Sequence, residues 1–468
     1  MTAMEPWLAA ALDYVPRWIE FQLRYTEQPG VVVAAAVGGE IVLERAFGAA
    51  DLSMGAPLTP RHRFRVASHS KSFTAAGIMK LREHGRLKLD DRSGGFVHGL
   101  HPEVADATIA QLLSHSAGLI RDGTDAGQWA DRRPFLDADE LRAALAEPPV
   151  ILPNSRFKYS NHGFGLAGLV IEAVTGERYR DWIKREIVDA SGLGETEPDV
   201  PIAADAPMAR GHSAKLPVGR RLVIPGDNPT HALAPATGFV STAANLARFF
   251  GGLDPAVGQS VLSQASRREM IRPHWRDAYS SIERQYGLGV MRGKTGDCEW
   301  FGHGGGFQGF ISQTVVVPQH RLALSIVTNT VQRFADQWAD GALHIVSALA
   351  RRGAPDDRVR DWRGRWWTLW APLDFVPMGN RVLILTPALT NPLADAAEVE
   401  VTGPDAGRIA LATGFGHHGE TVSRRRGADG EVEEIRFAGI RLLPEARLAT
   451  ELEAHYGARV PREANNHC

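Results

Sequence analysis

The chain has almost no cysteine. Its two thiols among 468 residues, Cys298 and the terminal Cys468, are too few and too far apart for a disulfide framework. As free thiols they suit a reducing compartment. An excess of positive charge is also missing: 52 Lys and Arg against 54 Asp and Glu leave a net charge of -2, and no basic stripe runs along the chain, so no nucleic-acid partner is expected. The short run Arg424 to Arg426 reads as a solvated strand or turn. No uninterrupted apolar run approaches ~18 residues, so no membrane span is expected. The first residues, MTAMEPWLAAALDYVPRWIEFQL, lack a basic n-region and a small-residue cleavage site, and Glu5, Asp13 and Pro16 interrupt them. They read as an amphipathic surface helix and not as a signal peptide, and a cytoplasmic location is expected on that basis.

Several chemical signatures are missing too. Histidines number 17, yet there is no H-E-x-x-H and no paired C-x-x-C, and GHHGE at 416–420 reads as a surface loop, so no metal centre is expected. The G-x-S-x-G elbow of α/β-hydrolases does not occur. A G-x-G-x-x-G is present at Gly304, Gly306 and Gly309, but the strand-like FISQTVVV follows it where a dinucleotide site needs a helix. No G-K-[ST] follows either, which removes a phosphate loop.

What is present is an ordinary globular composition, 44% apolar and 23% charged, on a length that suggests two or three domains. VVVAAAV and IVLERAF flank Gly38 and Gly39 as a β-hairpin would. RFRVA reads as a short strand, and Ser68 to about His84 as a helix stopped by Gly85. Residues 87–235 alternate helical segments with long polar connections. Strand patterns return in QYGLGVM, GFISQTVVVP and LALSIVTNT, followed by a helix at about Ala335 to Arg351. The first hairpin and these late strands are expected to share one sheet across a helical middle. Beyond a linker at about 352–358, short runs at roughly 10-residue spacing signal an antiparallel barrel or sandwich. The tryptophans at 362, 366, 367 and 370 are assigned to its core in preference to a ligand cavity.

The chemistry concentrates in RVASHSKSFTAAG at 65–77. Phe73 to Met79 are apolar nearly all round, so the helix is buried and Lys71 starts inside the protein. Desolvation favours a neutral amine, which can accept a proton. Ser68 lies three residues earlier, one turn away on the same face; Ser70 and Ser72 do not face Lys71. Read blandly, Ser68 is an N-cap and Lys71 snorkels to water, and a bare S-x-x-K arises by chance in most chains of this length. A second candidate is FKYSNHGFG, where Tyr159 and Asn161 project to the same side, although Asn161 alone would pass for a helix cap. The third is WFGHGGGFQGF, where His303 heads a glycine-rich strand edge that a substrate backbone can approach.

In order, Ser68-x-x-Lys71, Tyr159-x-Asn161 and His303-Gly304-Gly305 resemble the three motifs of the serine penicillin-recognising enzymes, specifically their class C β-lactamase-like branch of esterases, D-aminopeptidases, amidases and some acyltransferases. PLTPRHRFRVAS, TIAQLLSHSAGL, ATGFVSTAANLARF and YGLG look similar as well, and the resemblance covers about residues 25–350. The family's third motif is often Lys-Thr-Gly, and Lys294 to Gly296 offer a literal copy. Their position between glycine and aspartate suits a polar hairpin turn, however, so His303 is preferred.

The resemblance implies an α+β, β-lactamase/transpeptidase-like fold: an antiparallel sheet flanked by helices, plus a mostly helical subdomain within about 87–235. The catalytic domain is expected at 1–351, an all-β, lipocalin-like accessory domain at 359–460, and a tail at 461–468. It also implies Ser68 as nucleophile, with Lys71 and Tyr159 sharing the proton traffic and the immediate base left open between them. Asn161 would orient Lys71, Gly304 and Gly305 would line the substrate edge, and the backbone N–H groups of Ser68 and Gly306 would form an oxyanion hole. No metal or organic cofactor is implied. The expected activity is hydrolysis of small amides, short peptides or esters through an acyl-enzyme. Alternatives are an acyltransferase or peptide cyclase using an amine acceptor, and a penicillin-binding sensor without turnover. The partner is a small molecule or short peptide, with neither nucleic acid nor membrane. With histidine in place of the third-motif lysine, preference for a free substrate carboxylate should weaken.

Overall fold

Gly30 to Val37 (β1) is buried along nearly its whole length, as a strand covered on both faces must be. It pairs with Glu40–Asp51 (β2) on one side and, from the far end of the chain, with Leu322–Thr328 on the other. The computed structural model describes residues 4–216, 219–276, 284–413 and 416–457. Cys468 and the expected tail lie outside the described residues. The chain divides into two compact units, residues 26–339 and residues 1–25 with 340–468.

The 26–339 unit is built on an antiparallel sheet. With Ala56–Pro57 (β3), Trp275–Arg276 (β4), Arg284–Tyr286 (β5), Met291–Thr295 (β6), Cys298–Phe307 (β7), Phe310–Val317 (β8) and Leu322–Thr328 (β9), its order is β3-β2-β1-β9-β8-β7-β6-β5-β4. The first hairpin and the late strands therefore share one sheet, and the helical middle is inserted between them. QYGLGVM is not one strand: the chain breaks after Tyr286 and turns at Gly289 (φ +68°) before β6 begins.

Two helices carry the motifs. Ser70–Glu83 (α2) is buried from Ser70 to Met79 and ends at Gly85 (φ +69°), a left-handed position suited to glycine. Asn161–Thr175 (α3) is capped by Ser160, whose hydroxyl accepts from the Gly163 N–H, and closes on the left-handed Gly176. The cap is thus Ser160 and not Asn161, which leaves the Asn161 amide free. A third helix, Ala243–Gly252 (α4), covers β1 and β9. Phe64–Arg65 pairs with Val240–Ser241, which ties the approach to the first motif to the start of α4.

In the other unit, Pro6–Tyr25 (α1) lies with the C-terminal strands, although the sequence places it in a domain of residues 1–351. Its Trp18 indole donates to the Pro387 carbonyl (3.1 Å) and its Tyr14 hydroxyl to Asp374 (2.7 Å). The unit boundary falls inside the helix Phe334–Arg352 (α5). Eight antiparallel strands follow, Gly364–Trp367 (β10), Pro372–Met378 (β11), Arg381–Leu385 (β12), Ala397–Gly403 (β13), Ala406–Leu411 (β14), Thr421–Arg426 (β15), Val432–Phe437 (β16) and Ile440–Leu442 (β17). Trp367 and Leu443 exchange backbone hydrogen bonds of 2.8 and 2.9 Å, which brings the two edges together as a nearly closed barrel and not a sandwich. Trp362 and Trp366 sit in its core with Phe375, Ile384 and Ile409, whereas Trp370 is 88% exposed. The arginine run is also only partly solvated: Arg424 is buried, with its guanidinium 4.3 Å above the Trp362 ring and paired with Asp361 and Asp405. A final helix, Glu445–Tyr456 (α6), follows the barrel. No helix among the described residues is long and apolar enough to cross a membrane.

Candidate active site

Between the strand Phe64–Arg65 and α2 the chain makes a single 3-10 turn, Ala67–His69. Ala67 has φ +45°, a left-handed conformation uncommon for a residue with a side chain and of the kind that clusters at functional sites. Ser68 stays partly exposed while Ala67 and His69 to Met79 are buried. It makes no side-chain cap to α2. The neighbouring serines are engaged elsewhere, Ser70 with the Ala67 carbonyl (2.5 Å) and the Phe239 N–H (3.0 Å), and Ser72 with the Gly289 carbonyl (2.6 Å). His69 bonds Val66 O and Thr314 Oγ1 at 3.0 Å each, and burial pushes it down to about 4.

Lys71 is fully buried, and burial lowers its ammonium well below the usual lysine range, against the pull of the Asp122 carboxylate. Its Nζ lies 2.7 Å from Asn161 Oδ1, 2.8 Å from the Ala236 carbonyl and 3.3 Å from Ser68 Oγ. The Tyr159 hydroxyl donates to Ser68 Oγ at 2.8 Å. Burial raises Tyr159 above the usual phenol range, so at neutral pH it is a donor and not a phenolate. On the far side, Asn161 Nδ2 donates to Asp122 Oδ1 (2.6 Å), and Arg121 Nε approaches Asp122 Oδ2 (3.0 Å). Ser68, Lys71, Tyr159 and Asn161 therefore form one connected cluster.

His303 reaches the same neighbourhood along β7, its ring 6.1 Å from that of His69. Its Nδ1–H donates to the Gly304 carbonyl (2.6 Å), so its Nε2 accepts from the Tyr286 hydroxyl (2.9 Å). Burial, with His69 and Lys71 nearby, holds His303 well below the usual histidine range, so it is neutral. Strand β6 covers β7 only from Cys298 to Gly302, and the edge from His303 onward continues past it. A Cβ on Gly305 would lie 2.1 Å from the Val66 carbonyl, so only glycine allows this edge so close to the Ser68 turn. Gly304 and Gly305 are half-buried, and Gly306 is exposed. Lys294 to Gly296 form the end of the β6–β7 hairpin, with Lys294 exposed.

Four groups escaped the sequence reading: Asp122, the Ala236 carbonyl, Tyr286 and His115. His115 is buried, with its ring 4.2 Å from Tyr159 and 4.8 Å from Tyr286. Each lies in or beside a stretch the sequence singles out only as a flank, SHSAGL, ATGF and YGLG. Among the described residues, no group of three or more His, Cys, Asp or Glu could hold a metal ion. In chemical terms the cluster offers a hydroxyl flanked by a desolvated amine and a neutral phenol, beside an open strand edge.

The family model described as Beta-lactamase matches residues 19–347. Penicillin-binding protein 4* of Bacillus subtilis (strain 168) is 34% identical over 167 residues, 35% of this chain and 37% of that protein. The match thus spans little more than a third of that curated relative. Among solved structures, the octameric penicillin-binding protein homologue from Pyrococcus abyssi superposes with a TM-score of 0.63 at 21% identity, covering 92% of this chain and 99% of that one. The D-stereospecific amidohydrolase from Streptomyces sp. gives 0.58 at 26% identity, covering 69% and 94%.

Proposed function

Because the chain belongs to the β-lactamase family, we propose that it is a serine hydrolase acting through an acyl-enzyme on small amides, short peptides or esters. The observation that carries this reading is the convergence on Ser68 Oγ of the Tyr159 hydroxyl at 2.8 Å and the buried Lys71 amine at 3.3 Å. The similarity to a D-stereospecific amidohydrolase supports amides among the substrates.

The geometry around Lys71 favours the lysine as the immediate base. A neutral amine has two N–H bonds and one lone pair. Asn161 Oδ1 and the Ala236 carbonyl can only accept, so they take both N–H bonds, and the lone pair is left for the third direction, towards Ser68. Tyr159, a donor to the same oxygen, cannot take that proton while it keeps its own. Ser68 Oγ attacks the carbonyl carbon as its proton passes to Lys71 Nζ, and the backbone N–H groups of Ser68 and Gly306 hold the oxyanion. Collapse breaks the bond to the leaving group, which takes its proton through the Tyr159 hydroxyl, refilled from Lys71. Water then attacks the acyl carbon and gives its proton to Lys71, which passes it to Ser68 Oγ as the acyl bond breaks, so the acid leaves and both groups are restored. With His303 neutral and held by Tyr286, no fixed cation stands at the third motif, which suits uncharged substrates.

A panel of p-nitroanilides, D- and L-peptides and short esters, assayed with mass spectrometry of the quenched protein, tests this. Turnover with an acyl adduct on the Ser68 peptide, and neither in Ser68→Ala, is expected. Turnover that survives Ser68→Ala refutes the reading.

A further inference from the structure

Resting on the hydrolase reading above, we propose that Asp122 is a positioning residue that sets the polarity of the Asn161 amide and thereby aims the Lys71 lone pair at Ser68. An asparagine amide can present either its oxygen or its NH2 to a neighbour, and Lys71 alone does not decide which. A neutral amine could donate to the oxygen or accept from the NH2. Asp122 removes the ambiguity. Its carboxylate is acceptor-only and lies 2.6 Å from one end of the amide, so that end must be Nδ2 and the end facing Lys71, 2.7 Å away, must be Oδ1. With the oxygen there, Lys71 has to spend an N–H on Asn161.

If the amide turned over, the lysine lone pair would be drawn to Asn161 and an N–H would face Ser68. The amine would then be correctly placed and wrongly oriented. Asp122 is itself held for this task. It is nearly buried, its Oδ2 meets Arg121 Nε at 3.0 Å, and its backbone carbonyl accepts from the buried Gln128 amide at 3.3 Å. The Arg121 side chain is mostly exposed and leans over the Tyr159 ring, 5.3 Å from its centroid. The chain Arg121, Asp122, Asn161, Lys71, Ser68 therefore runs from solvent to the nucleophile with a fixed donor and acceptor sense at each link.

Asp122→Asn tests the proposal, because its side chain keeps the shape but gains a donor and so permits the flipped amide. With p-nitrophenyl acetate, kcat is expected to fall about 10- to 100-fold while KM changes less than about 3-fold. The charged groups that act on Lys71 are Asp122 and Arg121, and the histidines beside it, 69, 115 and 303, are neutral. Loss of the Asp122 charge should therefore move the acidic limb of kcat/KM to lower pH, which simple loosening of the fold would not do. Asp122→Glu should restore most of the rate. In an Asn161→Ala background, adding Asp122→Asn should change kcat on the plateau above the acidic limb less than about 2-fold, because the amide it orients is gone. A wild-type kcat and an unmoved limb in Asp122→Asn, or full multiplicative loss in the double variant, overturns the proposal. Ser68→Ala keeps the two claims apart. If it is inactive while Asp122→Asn matches wild type, only the Asp122 role fails, whereas an active Ser68→Ala sinks the hydrolase reading itself.

Discussion

Replacing Gly305 by alanine should disable the site without touching a side chain in it. The added methyl would lie 2.1 Å from the Val66 carbonyl oxygen and 2.9 Å from its carbon, both backbone atoms of the segment that leads into Ser68. Real Cβ atoms essentially never come within 3.0 Å, so the two strands of chain must part by about 0.9 Å, the difference between 3.0 and 2.1 Å. Neither side yields easily. Gly305 is in register with Ser312 of β8 inside the sheet, and Val66 is tied to Phe239 by a 2.9 Å backbone bond. Displacement of about 1 Å between reacting groups is worth on the order of 100-fold in rate, and overpacking of this kind destabilises by about 1–3 kcal/mol. Gly305→Ala should therefore remain folded by circular dichroism, melt at lower temperature, and lose about 100-fold in kcat on a p-nitrophenyl ester. Gly306→Ala is the comparison, since its methyl meets only the flexible end of Ile311, at 3.3 Å, and should lose far less. A folded Gly305→Ala with wild-type kcat would show that the β7 edge is not held against the nucleophile turn, and the oxyanion-hole argument would go with it.

Other expectations follow from the same contacts. Ser68→Ala should abolish labelling by a fluorophosphonate probe, while Ser70→Ala should still label but lose about 1–3 kcal/mol in a urea melt, because the Phe239 N–H loses its buried acceptor. Labelling that persists without Ser68 refutes the nucleophile assignment. Lys71→Ala should reduce turnover by several orders of magnitude and Lys294→Ala hardly at all; collapse in the Lys294 variant would move the third motif to the hairpin end. Because burial depresses Lys71, the unfolded chain binds more protons between the depressed value and the ordinary 10.5, so its burial opposes folding there and the penalty fades as pH rises. The stability of wild type relative to Lys71→Met should therefore increase between about pH 7 and about pH 9.5, and a flat or falling difference contradicts a buried, depressed amine. In the barrel unit, Asp374→Ala strips the carboxylate from Arg365, bound twice at 2.7 Å, and from Tyr14, at a cost of about 3–5 kcal/mol, and a loss below about 1 kcal/mol would refute that account.

The elements that were legible in the sequence are those whose partners are close in sequence or whose pattern is periodic. The β1–β2 hairpin announces itself through its diglycine, and α2 through apolar residues on every face. Pro372–Met378 is harder to read, because a proline cannot donate to a ladder; Pro372 is the first residue of β11, and Pro377 lies past Phe375, the last residue that β10 pairs. The place of α1 was hidden for another reason. Its apolar face says that it is buried against something, but the partner carbonyl belongs to Pro387, hundreds of residues away, and no local pattern encodes that contact.

The candidate site divides along the same line. Ser68 and Lys71 are one helical turn apart, and Tyr159 and Asn161 stand two positions apart on either side of the Ser160 cap of α3, so the facing within each pair could be read from spacing. What spacing does not carry is the assignment of each lone pair. Lys71 needs a second acceptor, and it is a backbone carbonyl, Ala236, to which every residue type contributes equally. His303 was legible as a residue at a glycine edge, but its tautomer is set by its own neighbour's carbonyl and by Tyr286, seventeen positions earlier on β5. The sequence thus names the atoms that can move a proton, whereas the direction in which the proton moves is decided by acceptors that only the fold brings near. In the proposed reading those acceptors occupy both N–H bonds of a neutral Lys71, and the one place left for the serine proton is the lone pair they leave over.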